Sequence, residues 1–298
     1  MLQRFLDPSV LAGLSGLDLV AKTVVDGFIS GLHRSPDFGF SQEFAEYRAY
    51  NPGDDLRHVD WNVFARSEKM FLKRYRGETN CQVSVLLDCS RSMKYGSRGM
   101  EKMEYAKFLA ASICYLAHLQ RDAAGLIVFD SEVRQFVQPS TRQGQIMRLL
   151  HGIDQAQTGA ETVLEKPFAH LVDYLRRRGV VVAISDFWEQ PEAVIKTVGP
   201  LRSRGNELIL FHVLDPQEID FAYDDASSYE DLESREQMPV VPQSFQAQYR
   251  SLVQEHINAL TTKFSEHRID YALLNTSEPL DRALFSYLSS REKLARVR

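Results

Sequence analysis

Three oxygen-bearing side chains stand at alternate positions directly after an apolar run: in VSVLLDCSRSM, Asp88, Ser90 and Ser92 follow residues 83–87. A continuous Val/Leu run ending in a carboxylate predicts a buried strand whose last residue leaves a sheet at its carboxyl end. One carboxylate and two hydroxyls carried by the next turn can converge on a single point. Such donors suit a hard divalent cation, and Mg²⁺ prefers octahedral oxygen ligands while keeping some of its water. The two hydroxyls are neutral, so an ion held here retains much of its positive charge and seeks an anionic ligand from outside the chain.

Two other strand-end loops carry matching chemistry. Gly159-Ala160-Glu161-Thr162 offers a hydroxyl just before a helical pattern, and Ser185-Asp186 ends VVVAIS, the purest strand in the sequence. Ser, Thr and Asp also occur at helix starts simply as caps. The agreement of three loops is what favours a metal site over a set of caps.

Other chemistries find less support. No HExxH pair, GxSxG elbow or GxxxxGK[ST] loop is present, which argues against a zinc hydrolase, an α/β-hydrolase and an ATP site. The enzymatic alternative is a Mg-dependent phosphatase-like hydrolase with Asp88 as nucleophile, but that chemistry typically has a second Asp where this chain has Ser90. A thiol phosphatase loop, C-x5-R, fails because the position of its Arg is Tyr95.

The elements needed to position these residues are legible as alternating strands and helices. Strands are expected at 83–88, 124–129, 133–137, 180–185, 207–214 and 270–275, with helices near 100–120, 142–153, 163–178, 193–203 and 246–267 and a final helix from 280. Val/Ile/Leu runs separated by helices predict a doubly wound, mostly parallel α/β sheet, with the short 133–137 strand as an antiparallel edge. Such a sheet places its ligand site at the carboxyl ends of the strands.

Before this domain, assigned to 81–298, lie two smaller parts. Residues 1–35 form an N-terminal helical arm: Asp7-Pro8 is a helix start, and Val10, Leu14, Leu17, Val24 and Phe28 fall near helical spacing up to about Gly31. Residues 36–80 read as a small β subdomain, with two strands flanking NPGDD and a short helix within 54–66. Tyr50, Asp54, Asp55, Arg57, Asp60 and Trp61 are expected to form an Arg–carboxylate network with Trp61 as a core plug. Lys69, Lys73, Arg74 and Arg76 read as the solvated face of an alternating strand rather than a nucleic-acid surface. The acidic segment 215–236 is expected to be a solvated excursion. A hairpin within 221–243, from SSYEDLE and MPVVP, could join the β subdomain.

Whole-chain properties set the class. The 298 residues are 44% hydrophobic and 25% charged, with a formal net charge of -5, a mild acidity that argues against a dedicated nucleic-acid binder. Three scattered cysteines, Cys81, Cys89 and Cys114, make no disulfide framework, and no apolar run reaches a membrane span. The expectation is a cytoplasmic protein.

Asp88, Ser90, Ser92, Thr162 and Asp186 resemble the metal-ion-dependent adhesion site of von Willebrand factor A domains. That resemblance implies Mg²⁺ (with Mn²⁺ or Ca²⁺ as substitutes) held by all five residues, directly or through water. A partner's Glu or Asp carboxylate completes its coordination. Thr158 competes with Thr162, which is preferred because it opens an apolar-periodic helix. Over almost the whole chain, EYRAYNPGDDLRHVDWNVFAR, LDCSRSM and ISDFW resemble the bacterial domain-of-unknown-function 58 family. Membership implies a von Willebrand A-like domain and no established enzymatic activity. It also implies an adaptor or co-chaperone role beside a MoxR-type AAA+ ATPase, with that ATPase or its client as partner.

Overall fold

The structure, a computed structural model, describes residues 16–32, 44–50, 59–67, 69–75, 81–159, 167–168, 174–175, 178–223, 227–230, 237–240, 242–281 and 284. In chain order the elements are α1 (Leu17–Leu32), β1 (Phe44–Ala49), α2 (Trp61–Ser67), β2 (Phe71–Tyr75), β3 (Gln82–Asp88), α3 (Lys102–Leu119), β4 (Ala123–Phe129), β5 (Val133–Ser140) and α4 (Gln145–Gln155). They continue with β6 (Gly179–Ser185), α5 (Pro191–Ser203), β7 (Glu207–Leu214), α6 (Pro216–Asp220), β8 (Ser227–Glu230), β9 (Gln237–Val240), α7 (Pro242–Glu266) and β10 (Asp270–Asn275). Two compact units result: residues 29–80, and residues 1–28 with 81–298.

In the larger unit the continuous apolar runs make a six-stranded sheet ordered β10-β7-β6-β3-β4-β5. All neighbours run parallel except β5, which pairs antiparallel with β4 at the edge. The expected doubly wound sheet is therefore present. Its winding reverses between β3 and β6: one half is laid down outward from β3 through β4 and β5, the other from β6 through β7 and β10. The crevice of such a sheet opens at that reversal, outside the carboxyl ends of the two strands.

Both faces are covered, which is why β3, β4, β6 and β7 are buried from their second residue onward. On one face Leu86, Val181, Ala183 and Leu210 pack with Val194, Val198 and Leu201 of α5 and Leu260 and Phe264 of α7. The helix residues recur at the three-to-four spacing of an amphipathic stripe. Val85 and Leu87 alternate to the opposite face, where α3 is buried on almost every side.

Three boundaries depart from the expectation. β5 runs on past residue 137 to Ser140 because Pro139, lacking an N–H, is tolerated on an edge strand. Gly125 of β4 admits this Pro; a Cβ there would lie 2.6 Å from its Cγ. α7 begins four residues early, since Pro242 suits the first helical position. The acidic segment opens with an ordered turn of helix, α6, rather than as a wholly solvated excursion: Asp215 is buried and forms a reciprocal capping box with Glu218. The hairpin does form: β8 and β9 pair antiparallel, while β1 and β2 make a separate sheet. α1 buries Val20, Ala21, Val24 and Val25 along one side, and the arm before residue 16 lies outside the described residues, as do most of the expected 163–178 helix and the final helix.

In the smaller unit β1 and β2 pair antiparallel with a register shift near Phe44. The Asp60 N–H extends the pairing onto the Phe71 carbonyl at 2.9 Å. Its carboxylate accepts the Val63 N–H at 3.3 Å and caps α2. Trp61, the first residue of α2, is 54% exposed rather than a core plug, with its ring set edge-on to Phe64. Asp54, Asp55 and Arg57 lie outside the described residues.

The central position of β3 carries a stability consequence. Leu86→Ala empties a fully buried site against α5 and α7. It is expected to cost about 2–5 kcal/mol, read as a lowered denaturant midpoint with an unchanged slope.

Candidate metal centre

β3 and β6 run in register, Leu87 beside Ile184, so Asp88 and Ser185 leave the sheet side by side at the reversal of winding. The turn after β3 is pinned on two sides. Its Cys89 N–H donates to the Phe129 carbonyl of β4 at 2.7 Å, and its carbonyl accepts the Gly159 N–H at 2.7 Å. Ser90 N–H donates to Asp88 Oδ1 at 2.8 Å, closing an Asx turn. A 3₁₀ turn over Arg91–Lys94 follows, anchored by the buried Met93. This places the Ser90 and Ser92 hydroxyl oxygens 3.1 Å apart.

From the neighbouring strand, Ser185 Oγ donates to Asp88 Oδ2 at 2.6 Å and accepts the Phe187 N–H at 3.3 Å. Asp186, 1% exposed, stands between them in sequence. Phe187 then adopts φ +40°, in the left-handed region that costs a non-glycine residue of order 1–3 kcal/mol. His256 of α7 engages its carbonyl at 2.8 Å through Nε2 and helps hold the turn. Asp88, Ser90, Ser92 and Asp186 are thus brought to one place on two adjacent strand ends. Thr162 lies outside the described residues. Its rival Thr158 is half-buried beside Gly159, next to the Asp88 turn.

Four further residues belong to this region, and none was singled out as a site residue in the sequence. Lys102, the first residue of α3, is completely buried; its Nζ donates to Asp186 Oδ2 at 2.8 Å and Glu218 Oε1 at 2.6 Å. Glu218 Oε2 in turn accepts the Asp215 N–H at 2.8 Å. Asp215 accepts from Ser97 through both N–H and Oγ, at 2.9 and 2.5 Å. Ser185 completes the set. A lysine near a helix start ordinarily reads as solvated, so Lys102 carries no signal of its own. The Asp-Pro-x-Glu pattern at 215–218 does signal a capping box and was readable.

The electrostatics follow from burial. Desolvation, then the nearby Asp186 charge, pushes Asp88 up to about 7, against the pull of its bonds from Ser185 and Ser90. Burial also raises Glu218, opposed by Lys102. Burial works against the Lys102 charge, but Asp186 and then Glu218 outweigh it and hold the ammonium above its ordinary range. The Cys89 thiol is pushed up to about 12 by burial and by Asp130 and Asp88, which removes it as a nucleophile. His212 on β7, buried and bonded through Nδ1 to the Tyr271 hydroxyl at 2.7 Å, is pushed down to about 3 chiefly by desolvation.

The donor set fits a hard cation. Adjacent ligands of an octahedral Mg²⁺, each bonded at about 2.1 Å, stand about 3 Å apart, and the Ser90–Ser92 oxygen separation has that value. The Asp186 charge opposes ionisation of Asp88, a cost that a nearby positive charge relieves. Among the described residues no group of three or more His, Cys, Asp or Glu could hold a metal by itself, so such a site depends on the serines.

Because the native Asp88 carboxyl binds its proton more tightly than the ordinary carboxyl of the unfolded chain, this group adds stability at low pH and loses it as pH rises through about 7. In chelator, Asp88→Asn is expected to be more stable than the native chain at pH 8, with the gap narrowing as pH falls toward 4. Urea melts across that range check it, and the difference between the two proteins cancels the opposite trend contributed by His212.

Comparison with known proteins places the chain. Residues 46–259 match the family described as protein of unknown function DUF58. An uncharacterized protein of Mycobacterium tuberculosis is 31% identical over 219 residues, 72% of this chain and 68% of that protein. Among solved structures, BatB from Bacteroides thetaiotaomicron aligns over 72% of this chain and 99% of its own, at 13% identity and a TM-score of 0.45. The Rpn10 VWA domain aligns over 68% and 93%, at 12% and 0.41. The family match spans the signature that begins at Glu46, the Asp88 turn and Asp186 in one stretch, and the chain belongs to the DUF58 family.

Proposed function

We propose that the chain is a metal-ion-dependent protein-binding module whose Mg²⁺ is held by Asp88, Ser90, Ser92 and Asp186, with Thr162 completing the set. The observation that carries this reading is the meeting of the Asp-x-Ser-x-Ser turn with Asp186 at the reversal of a doubly wound sheet. Mn²⁺ or Ca²⁺ can substitute, since both also take oxygen donors. A Glu or Asp of a protein partner supplies the remaining anionic ligand.

Recognition fits Asp88 better than catalysis does. It is fully buried, and both of its carboxylate oxygens already accept hydrogen bonds, from Ser90 and Ser185. An aspartyl nucleophile needs an ionised oxygen open to substrate. The partner proposed on family resemblance is a MoxR-type AAA+ ATPase or that ATPase's client, with the chain as adaptor or co-chaperone in the cytoplasm. No disulfide joins Cys81, Cys89 and Cys114, which suits that compartment. Among the described residues no helix is long and apolar enough to cross a membrane.

Calorimetric titration with MgCl₂ or MnCl₂ is expected to show binding by the native chain and none by Asp88→Ala, with Ser92→Ala weakened. Equal binding by all three would overturn the site. Metal-dependent turnover of a phosphate ester, abolished by Asp88→Asn, would replace this reading with the hydrolase. Retention of an AAA+ ATPase from native-host extract, lost on adding chelator, tests partner and metal together.

A further inference from the structure

The buried Lys102 ammonium is more than a structural tie. It reaches the candidate centre from α3 and donates to Asp186 Oδ2 at 2.8 Å and to Glu218 Oε1 at 2.6 Å, with its own side chain at 0% exposure and that of Asp186 at 2%. The backbone N–H of Lys102 is itself fixed on the Tyr95 carbonyl at 2.8 Å, just beyond the Ser90–Ser92 turn. Glu218 is held from its other oxygen by the Asp215 N–H, and Asp215 by Ser97. The ammonium therefore sits in a frame that fixes it beside one of the carboxylates expected to face a metal.

An ammonium and a divalent cation compete for the same carboxylate and repel each other, strongly where water is excluded. Lys102 donates to one oxygen of Asp186, which lowers what that carboxylate can give an ion. Glu218 shares the same ammonium with Asp186. Shifting the balance between these two carboxylates alters how much of Asp186 the ion can have.

We propose that Lys102 is a built-in rival cation, a positioning residue that sets how tightly the Asp88–Asp186 centre holds its divalent ion, with Glu218 as its counterweight. This rests on the metal-binding reading above. A weaker hold by the chain leaves the ion more electrophilic toward an incoming carboxylate, so the same lysine that lowers metal affinity favours capture of an acidic partner group.

Two variants act in opposite directions. Lys102→Met removes the rival charge and is expected to tighten Mg²⁺ binding by roughly tenfold or more. Glu218→Gln keeps an acceptor for the Asp215 N–H, removes the counterweight and is expected to weaken Mg²⁺ binding by a comparable factor. Calorimetry with MgCl₂ on the full chain reads both, and thermal melts in chelator report folding separately. Should Lys102→Met fail to fold, the Glu218→Gln shift alone decides. Native-like Mg²⁺ affinity in the folded variants would make Lys102 a structural tie only and overturn the inference while leaving the metal site standing. No Mg²⁺ binding by the native chain would instead overturn the metal reading, and this inference with it.

Discussion

A single topological event sets everything at the site: the chain lays down β3, winds outward to one side, then returns to place β6 on β3's other flank. Parallel strands in register end together, so the two residues that leave the sheet at this seam emerge side by side. In this sequence they are Asp88 and Ser185, with Asp186 one step further. Both aspartates are buried by the helices that cover the sheet, and two buried carboxylates so near each other are unstable as a pair of free charges. The surrounding structure answers that constraint with hydrogen bonds from Ser90 and Ser185 to Asp88, and an ammonium on Asp186.

The response propagates outward. Burying Lys102 requires compensation for its own charge, and Glu218 provides it together with Asp186. Holding Glu218 requires α6, whose capping box is built on Asp215. Asp215 is buried and reaches across to Ser97 in the loop beyond the Asp88 turn. The loops after β3, β6 and β7 are thus joined by one chain of charged and polar groups. Removing any member leaves a buried charge without its partner, which is more destabilising than the worth of any single bond.

The sheet was legible because continuous apolar runs and their spacing depend on burial over whole strands, and one misplaced residue does not erase that signal. The turn Asp88-x-Ser90-x-Ser92 was legible because its donors are adjacent in sequence. Lys102 was not, since alone it has the pattern of an ordinary helix surface; Glu218 was readable as a cap, but not as the partner of a lysine 116 positions away. Trp61 misled for the reverse reason: an aromatic in a dense motif suggests a plug, yet as the first residue of α2 it stands half exposed. The 133–137 strand reads short because its continuation passes through Pro139, a residue that an edge strand tolerates.

Ser90 and Ser92 give the candidate centre its character. With carboxylates at those positions the chain would satisfy a divalent ion largely by itself, and the ion would have little charge left for a ligand from outside. Neutral hydroxyls contribute geometry without charge, and Lys102 subtracts further from what Asp186 can give. Each choice weakens the chain's own grip on a cation, which is a poor design for a structural metal. Under the proposed function it suits a centre completed by another molecule, because the coordination energy the chain withholds would be available to an incoming carboxylate. On this view the buried lysine and the paired serines answer one requirement, and the strand seam is what lets both act on the same carboxylates.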